Sequence, residues 1–234
     1  AQAWADHTDR SSGLSLTMPV KEPILALVSD RDPVVEILGV ANTVYWSGGT
    51  PRLGNTDPWG VMGALGDHAL APQRPVILGA GATARAVGYG LFLMGVSGVD
   101  LVVRNVERAS GCATVFRSLG LDVQIIEMSA IPLPGEWDLV VSTLPGGLRQ
   151  EVPFSDELLQ KASLFDVSYH PWPSEMATRW AVSPCAVVSG MWMLVHQALR
   201  QVRLFVHHDA DVALPREEEV LLAMKNAVGL SSGP

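Results

Sequence analysis

Residues 75–85 read PVILGAGATAR, and the rest of the chain is organised around them. Val76, Ile77 and Leu78 form a short apolar run bounded by Pro75 and Gly79, which predicts a buried strand. Gly79 to Ala82 make a turn, and a helix opening near Thr83 carries Val87, Leu91 and Met94 along one face. The spacing is G-x-G-x-x-A, a variant of the dinucleotide fingerprint. Gly79 permits the tight turn, Gly81 leaves room for a pyrophosphate, and Ala84 is small enough for helix and strand to pack. The helix start would present unpaired N–H groups and a partial positive charge to phosphates. A plain glycine turn between strand and helix is the competing reading, and the strand before and helix after favour cofactor binding.

Composition narrows the classes. The chain has 234 residues, 48% of them hydrophobic, enough for a sizeable core in one large or two small domains. A net charge of −8 argues against nucleic acid and anionic membranes as partners. Cys112 and Cys185 lack metal or redox spacing, which suggests a reducing compartment and a cytoplasmic protein. No signal peptide is recognised, and the most apolar long stretch, 186–206, is interrupted by His196, Gln197, Arg200 and Arg203 and is amphipathic.

Upstream, residues 1–10 have a weak helical pattern, and 13–19 alternate as a strand ending at Pro19. Residues 34–38 fit a short helix or strand, 39–46 a strand, and 47–51 a hairpin turn. Thr56 or Asp57 stands at an N-cap position and Pro58 at the first helical position. Downstream, strand and helix alternate: strands at 99–103, 122–126, 138–142, 164–167 and 186–188, and helices at 106–119, from about 191, and at 215–228. The helix from 191 would put Leu194 or Val195, Ala198, Val202 and Phe205 on its apolar face. The tail 230–234 reads as disordered. By spacing alone, Lys21 is a surface lysine, Asp57 a helix cap, Tyr169 a packed tyrosine and Gln197 a boundary residue.

Together these residues carry a resemblance. SLTMPVK at 15–21 resembles the N-V-T-x-P-x-K motif of shikimate dehydrogenases, GVANT at 39–43 their G-A-V-N-T, and GNTDPWG at 54–60 their N-T-D-x-x-G. GAGATARA at 79–86, VRNVER at 103–108, STLPGGL at 142–148, SLFDVSYHPWPSE at 163–175 and GMWMLVHQA at 190–198 follow in the family's order. Departures are Ser15 and Ser142 for Asn, the inverted Val40-Ala41, and Val103 and Asn105 for Asn and Thr.

The resemblance implies an α/β fold: a doubly wound parallel Rossmann-type sheet and a smaller α/β substrate domain. Its divisions would be 1–59 and 191–234 for substrate and 60–190 for dinucleotide, with the site in the cleft between. It implies NADP-dependent, reversible reduction of 3-dehydroshikimate to shikimate, by a monomer or homodimer. Lys21 would be the acid/base and Asp57 its partner. Thr17, Asn42, Tyr169 and Gln197 would hold substrate. Gly79, Ala80, Gly81, Ala82, Thr83, Arg104, Asn105, Arg108, Thr143, Leu144 and Gly190 would hold the cofactor. Arg104 lies about 25 residues after Gly79, where an NAD enzyme would carry an acid. A guanidinium there suits a 2′-phosphate, hence NADP, with NAD as the second option. No metal is expected. Alternatives are a quinate or aminoshikimate dehydrogenase, a non-catalytic cofactor-binding relative and, more distantly, a methylenetetrahydrofolate dehydrogenase-like enzyme. The family also begins with a strand–helix unit bearing an S-x-S motif that grips the substrate carboxylate. No such motif precedes Lys21, so the expectation is that an N-terminal piece is missing from these residues and that they bind shikimate weakly.

Overall fold

The computed structural model describes residues 12–129, 136–145, 152 and 154–230. The helical pattern expected at 1–10 and most of the tail at 230–234 lie outside these residues. Two sheets organise the fold. The first strands are β1 (Gly13–Ser15), β2 (Thr43–Ser47) and β3 (Thr50–Gly54), an antiparallel sheet in that order. Between β1 and β2 lies helix α1 (Pro33–Leu38), which settles the helix-or-strand ambiguity there. Pro33 opens it and Gly39, at φ +63°, closes it in the left-handed conformation. β2 and β3 form a hairpin in which Ser47 faces Thr50.

Helix α2 (Asp57–Asp67) then leads into strand β4 (Pro75–Leu78), helix α3 (Ala82–Leu93), strand β5 (Gly98–Val103), helix α4 (Val106–Ser118) and strand β6 (Asp122–Glu127). Strand β7 (Leu139–Ser142), helix α5 (Asp156–Lys161), strand β8 (Ser163–Asp166), helix α6 (Glu175–Trp180) and strand β9 (Val187–Ser189) complete the alternation. The last elements are helices α7 (Gly190–His207) and α8 (Glu217–Ala227). Strands β4 to β9 form a six-stranded parallel sheet in the order β6-β5-β4-β7-β8-β9. This is the doubly wound order expected, with its topological switch between β4 and β7.

Side-chain alternation explains the layers. Ile77, Leu101, Leu139, Val141 and Phe165 point to one face and pack with Val61, Val87, Phe116 and Met193 of α2, α3, α4 and α7. Val76, Leu78, Val102, Val140 and Leu164 point to the other and pack with Trp137, Leu158 and Trp180. Both faces are thus covered, as a parallel sheet requires. A third cluster around Val35, Leu38, Val44 and Leu53 serves the small sheet. α2 runs close to α7: a Cβ on Gly60 would lie 2.7 Å from the Met193 carbonyl oxygen.

Four elements depart most from the sequence reading. β3 contains Pro51; its first two residues fall in the stretch expected as a hairpin turn, and the sequence reading has no strand at 52–54. α5 and α6 have six residues each, too short for a periodic signal, and are started by the caps Ser155 and Ser174. The apolar face assigned to α7 is displaced. Of the two options Leu194 and Val195, Val195 is buried and Leu194 is 37% exposed; Gly190, Met193, Gln197, Leu199, Gln201 and Leu204 are buried with it, while Ala198, Val202 and Phe205 are only half-buried.

Candidate active site

A cleft of about 640 Å³ opens where the two sheets meet. Its lining comes from the β1 end (Ser15, Thr17, Met18), Lys21, Asp57, Thr83 at the start of α3, and Thr143 to Pro145 after β7. Val167 to His170 after β8, together with Gly190, Met193, Leu194 and Gln197 of α7, close it. The cleft lies at the carboxyl ends of β4, β7 and β8, beside the switch point.

Local chemistry positions the charged pair. Pro58, just inside α2, fixes the helix start, so Asp57 begins the helix with its carboxylate near the helix's positive end. The Asp57 N–H donates to Asn55 Oδ1 at 3.1 Å, which orients the turn. Lys21 Nζ donates to Asp57 Oδ2 at 2.5 Å. Both side chains are mostly buried, at 13% and 6% exposure. An ammonium held this way in a cleft can stabilise and protonate an oxyanion.

Behind the pair lies a buried polar cluster. Asn42 Nδ2 donates to Asp57 Oδ1 at 2.8 Å, Thr56 Oγ1 at 2.9 Å and Gln197 Oε1 at 3.1 Å. Asn42 Oδ1 accepts from the Thr56 N–H at 2.8 Å and the Thr43 hydroxyl at 2.6 Å. Gln197 Nε2 donates to the Leu194 carbonyl at 3.0 Å. Gln201 Nε2 donates to the Asn42 carbonyl at 3.0 Å and to Thr43 Oγ1 at 2.9 Å.

Of the residues expected to hold substrate, Thr17, Tyr169 and Gln197 line the cleft. Asn42 does not: it is 1% exposed and its amide is engaged within the cluster. Its geometry supports Asp57 from behind. Tyr169 is 48% exposed on a loop tied down by Asp166. That carboxylate accepts from the Ser174 hydroxyl at 2.6 Å and the Ser168 N–H at 3.1 Å. Burial nevertheless pushes its pKa above the usual carboxylate value, against those hydrogen bonds.

The glycine turn fits a dinucleotide. Gly79 has φ +100°, and a Cβ there would lie 2.6 Å from Thr143 Oγ1. Gly81 is exposed and faces open space where a side chain would stand, so a ligand could approach its backbone. No side chain caps the start of α3, which leaves its first N–H groups for an anion. The helices α4, α5, α6 and α7 are capped by Asn105, Ser155, Ser174 and Ser189, whereas α1, α2 and α8, like α3, have no side-chain cap. Ala80, Ala82 and Thr83 are half-buried around this turn. Arg85 turns away from it, donating to the Leu38 carbonyl at 2.8 Å and pairing with Glu22.

Arg104 and Arg108 are exposed just beyond β5 and have no carboxylate partner among the described residues. Asn105 spends its side chain on the Arg108 N–H at 3.0 Å, as a helix cap. Thr143 Oγ1 donates to the Leu78 carbonyl at 2.7 Å, bonding the β7 exit to the β4 exit, and Leu144 follows it into the cleft. Gly190 is needed for close approach: a Cβ would lie 1.9 Å from the Val167 carbonyl oxygen. Among the described residues there is no His, Cys, Asp and Glu cluster suited to a metal ion.

Sequence reading missed Ser168, His170 and Met193 in the lining and Gln201 behind it. The Gln201 signal was available: a second glutamine one helical turn after Gln197 falls on the same face.

A lysine–carboxylate pair facing the crevice of a doubly wound sheet, beside an uncapped glycine turn, is the arrangement of an α/β protein with an acid–base pair next to a dinucleotide-type site. Comparison with known proteins narrows the class. A curated shikimate dehydrogenase (NADP(+)) of Methanopyrus kandleri is 31% identical over 221 residues, spanning 88% of this chain and 75% of the relative. Mycobacterium tuberculosis shikimate dehydrogenase superposes with a TM-score of 0.80 at 29% identity, over 97% of this chain and 82% of that one. Thermus thermophilus shikimate 5-dehydrogenase, solved in complex with NADP(H) and shikimate, superposes with a TM-score of 0.77 at 26% identity, over 97% and 83%. No family model matches the chain. The chain belongs to the shikimate dehydrogenase family, and it is an oxidoreductase on that ground.

Proposed function

We propose that this protein is a shikimate dehydrogenase, reducing 3-dehydroshikimate to shikimate reversibly with NADP. The observation that carries the reading is that Lys21, Asp57 and Gln197 line one cleft with Thr83, Thr143 and Leu144 from the dinucleotide-binding turns. Relatives named for the same reaction, one of them solved with NADP(H) and shikimate, support it.

Bound NADP would supply the hydride acceptor for the alcohol, and NADPH the hydride for the ketone. Gly79, Ala80, Gly81, Ala82 and Thr83 would hold its pyrophosphate, Arg104 and Arg108 its 2′-phosphate, and Thr143, Leu144 and Gly190 its nicotinamide end. Asn105 serves this region as the cap that holds the Arg104–Arg108 turn. In the reducing direction the substrate carbonyl oxygen gains negative charge. The Lys21 ammonium stabilises that charge and gives it a proton, leaving a neutral amine that recovers a proton from solvent through the open cleft. Asp57 keeps the ammonium aimed. Thr17, Tyr169 and Gln197 orient the ring hydroxyls, and Asn42 acts through Asp57. In this reading 60–190 carries the dinucleotide, while 1–59 and 191–234 carry the substrate. No helix among the described residues is long and apolar enough to cross a membrane. The cytoplasmic location in this reading rests on the two cysteines, neither of them in a disulfide.

The test is NADPH formation at 340 nm with shikimate and NADP, run beside quinate and beside NAD. Shikimate with NADP should be the preferred pair. Preference for quinate would reassign the substrate, and NADP binding without turnover of either acid would remove the catalytic reading.

A further inference from the structure

We infer that Gln201 is a positioning residue that sets the polarity of the hydrogen-bond chain ending on the Lys21–Asp57 pair. Gln201 is 4% exposed on α7, behind the cleft and outside its lining. Its Nε2 donates to Thr43 Oγ1 at 2.9 Å. That bond occupies an acceptor site on the hydroxyl and leaves the hydroxyl proton for Asn42 Oδ1, 2.6 Å away. Asn42 Oδ1 also accepts the Thr56 N–H at 2.8 Å. With its oxygen held by two donors, the Asn42 amide must turn its Nδ2 to Asp57 Oδ1, at 2.8 Å. Asp57 is then an acceptor on both oxygens, and Oδ2 receives Lys21 at 2.5 Å. Every proton in the chain from Gln201 through Thr43 and Asn42 points toward the carboxylate. The second Gln201 bond, to the Asn42 carbonyl at 3.0 Å, holds the β2 start against α7.

The polarity matters because an amide can present either end. Were Thr43 to donate elsewhere, the Asn42 oxygen would lose one of its two donors. A flipped Asn42 would set a carbonyl oxygen against a carboxylate oxygen, in a buried place where like partial charges are poorly screened. The Thr56 N–H holds the Asn42 oxygen from the backbone; the head group of residue 201 governs the other donor, Thr43, since an amide NH2 donates to it and a carboxylate at the same length accepts from it.

Three variants of the protein test this. Gln201→Glu keeps the shape and reverses the donor; Gln201→Met keeps the length without a polar head; Thr43→Ser keeps the hydroxyl. The readouts are kcat, the KM for shikimate and NADP, Tm, and the Asn42 side-chain amide resonances in a 15N–1H spectrum of unliganded protein. Gln201→Met should lower kcat roughly tenfold, the scale of one buried hydrogen bond, and Gln201→Glu should lower it further. The KM for NADP should stay unchanged in both. The Asn42 amide pair should move in both and stay in place in Thr43→Ser, whose kcat should remain near that of the wild type. Unmoved Asn42 resonances in Gln201→Met, or a kcat loss matching only the unfolded fraction, would overturn the inference. If Gln201→Glu does not fold, Gln201→Met decides alone. The inference rests on Lys21 and Asp57 acting as the acid–base pair, and the two fail differently. Lys21→Ala with wild-type kcat removes the pair's role, whereas an inactive Lys21→Ala beside unmoved Asn42 resonances removes only that of Gln201.

Discussion

The parallel sheet and the small antiparallel sheet solve different problems. The parallel sheet buries β4, β7 and β8 completely, and its specificity is volume: Ile77, Phe165 and Trp180 interlock in two apolar layers. The small sheet and α7 meet over a buried polar cluster of Asn42, Thr43, Asn55, Thr56, Gln197 and Gln201. Shape holds the first region, and hydrogen-bond direction holds the second. Apolar packing tolerates many combinations of side chains of similar volume, whereas a buried amide without its partner is costly. The stable frame and the reactive pair are therefore exposed to different substitutions.

The largest stability effect should come from the frame. Trp180 is fully buried and donates its indole N–H to the Ala162 carbonyl at 2.9 Å. Trp180→Ala should cost about 3–5 kcal/mol in urea unfolding, while kcat per folded molecule stays near wild type. A large loss of kcat in the folded fraction would show that the two regions are not separable in this way.

Next is the turn that joins frame to ligand. Gly79→Val forces a β-branched residue to φ +100° and against Thr143 Oγ1. About 1–3 kcal/mol of strain should lower Tm and weaken NADPH binding, measured by fluorescence titration. Arg104→Ala should be smaller and sharper. The KM for NADP should rise about tenfold, as for one lost charge-assisted bond, and that for NAD should stay flat. An equal effect on both cofactors would give Arg104 another role.

The smallest effect concerns the outer seam. Burial alone would raise the Asp67 pKa, but hydrogen bonds from Lys225 (2.6 Å) and His196 (2.7 Å) outweigh it and hold it below the ordinary value. A depressed carboxyl stabilises the fold above its unfolded pKa, and that contribution is lost as pH falls through the folded value. Asp67→Asn should therefore lower Tm at pH 6, and the gap to wild type should close below about pH 4. A gap that persists into acid would assign the loss to packing.

The same contrast explains what could be read from residues alone. The strands β4, β5 and β7, and the helices α3 and α4 that follow the first two, declare themselves through apolar runs, glycine turns and period, because both sheet faces are buried. β3, with Pro51 in it, depends on pairing with β2 across the hairpin, which no local pattern announces. Lys21, Asp57 and Gln197 are legible only through motif resemblance; spacing alone makes them a surface lysine, a helix cap and a boundary residue. Asn42 is legible as a site residue, but its place beneath Asp57 is not, since burial of a polar side chain depends on partners distant in sequence. Gln201 illustrates the same limit: its partner Thr43 lies 158 positions away.

The most direct test of the account is a paired measurement on Lys21→Ala: kcat for shikimate-dependent NADPH formation, and the NADPH Kd by fluorescence on the same preparation. Removing a positioned proton donor should lower kcat by about 10²–10⁴ and leave the Kd within about twofold of wild type. A kcat near that of the wild type, or a Kd that weakens in step with kcat, would contradict the assignment of Lys21 and Asp57 as the reactive pair.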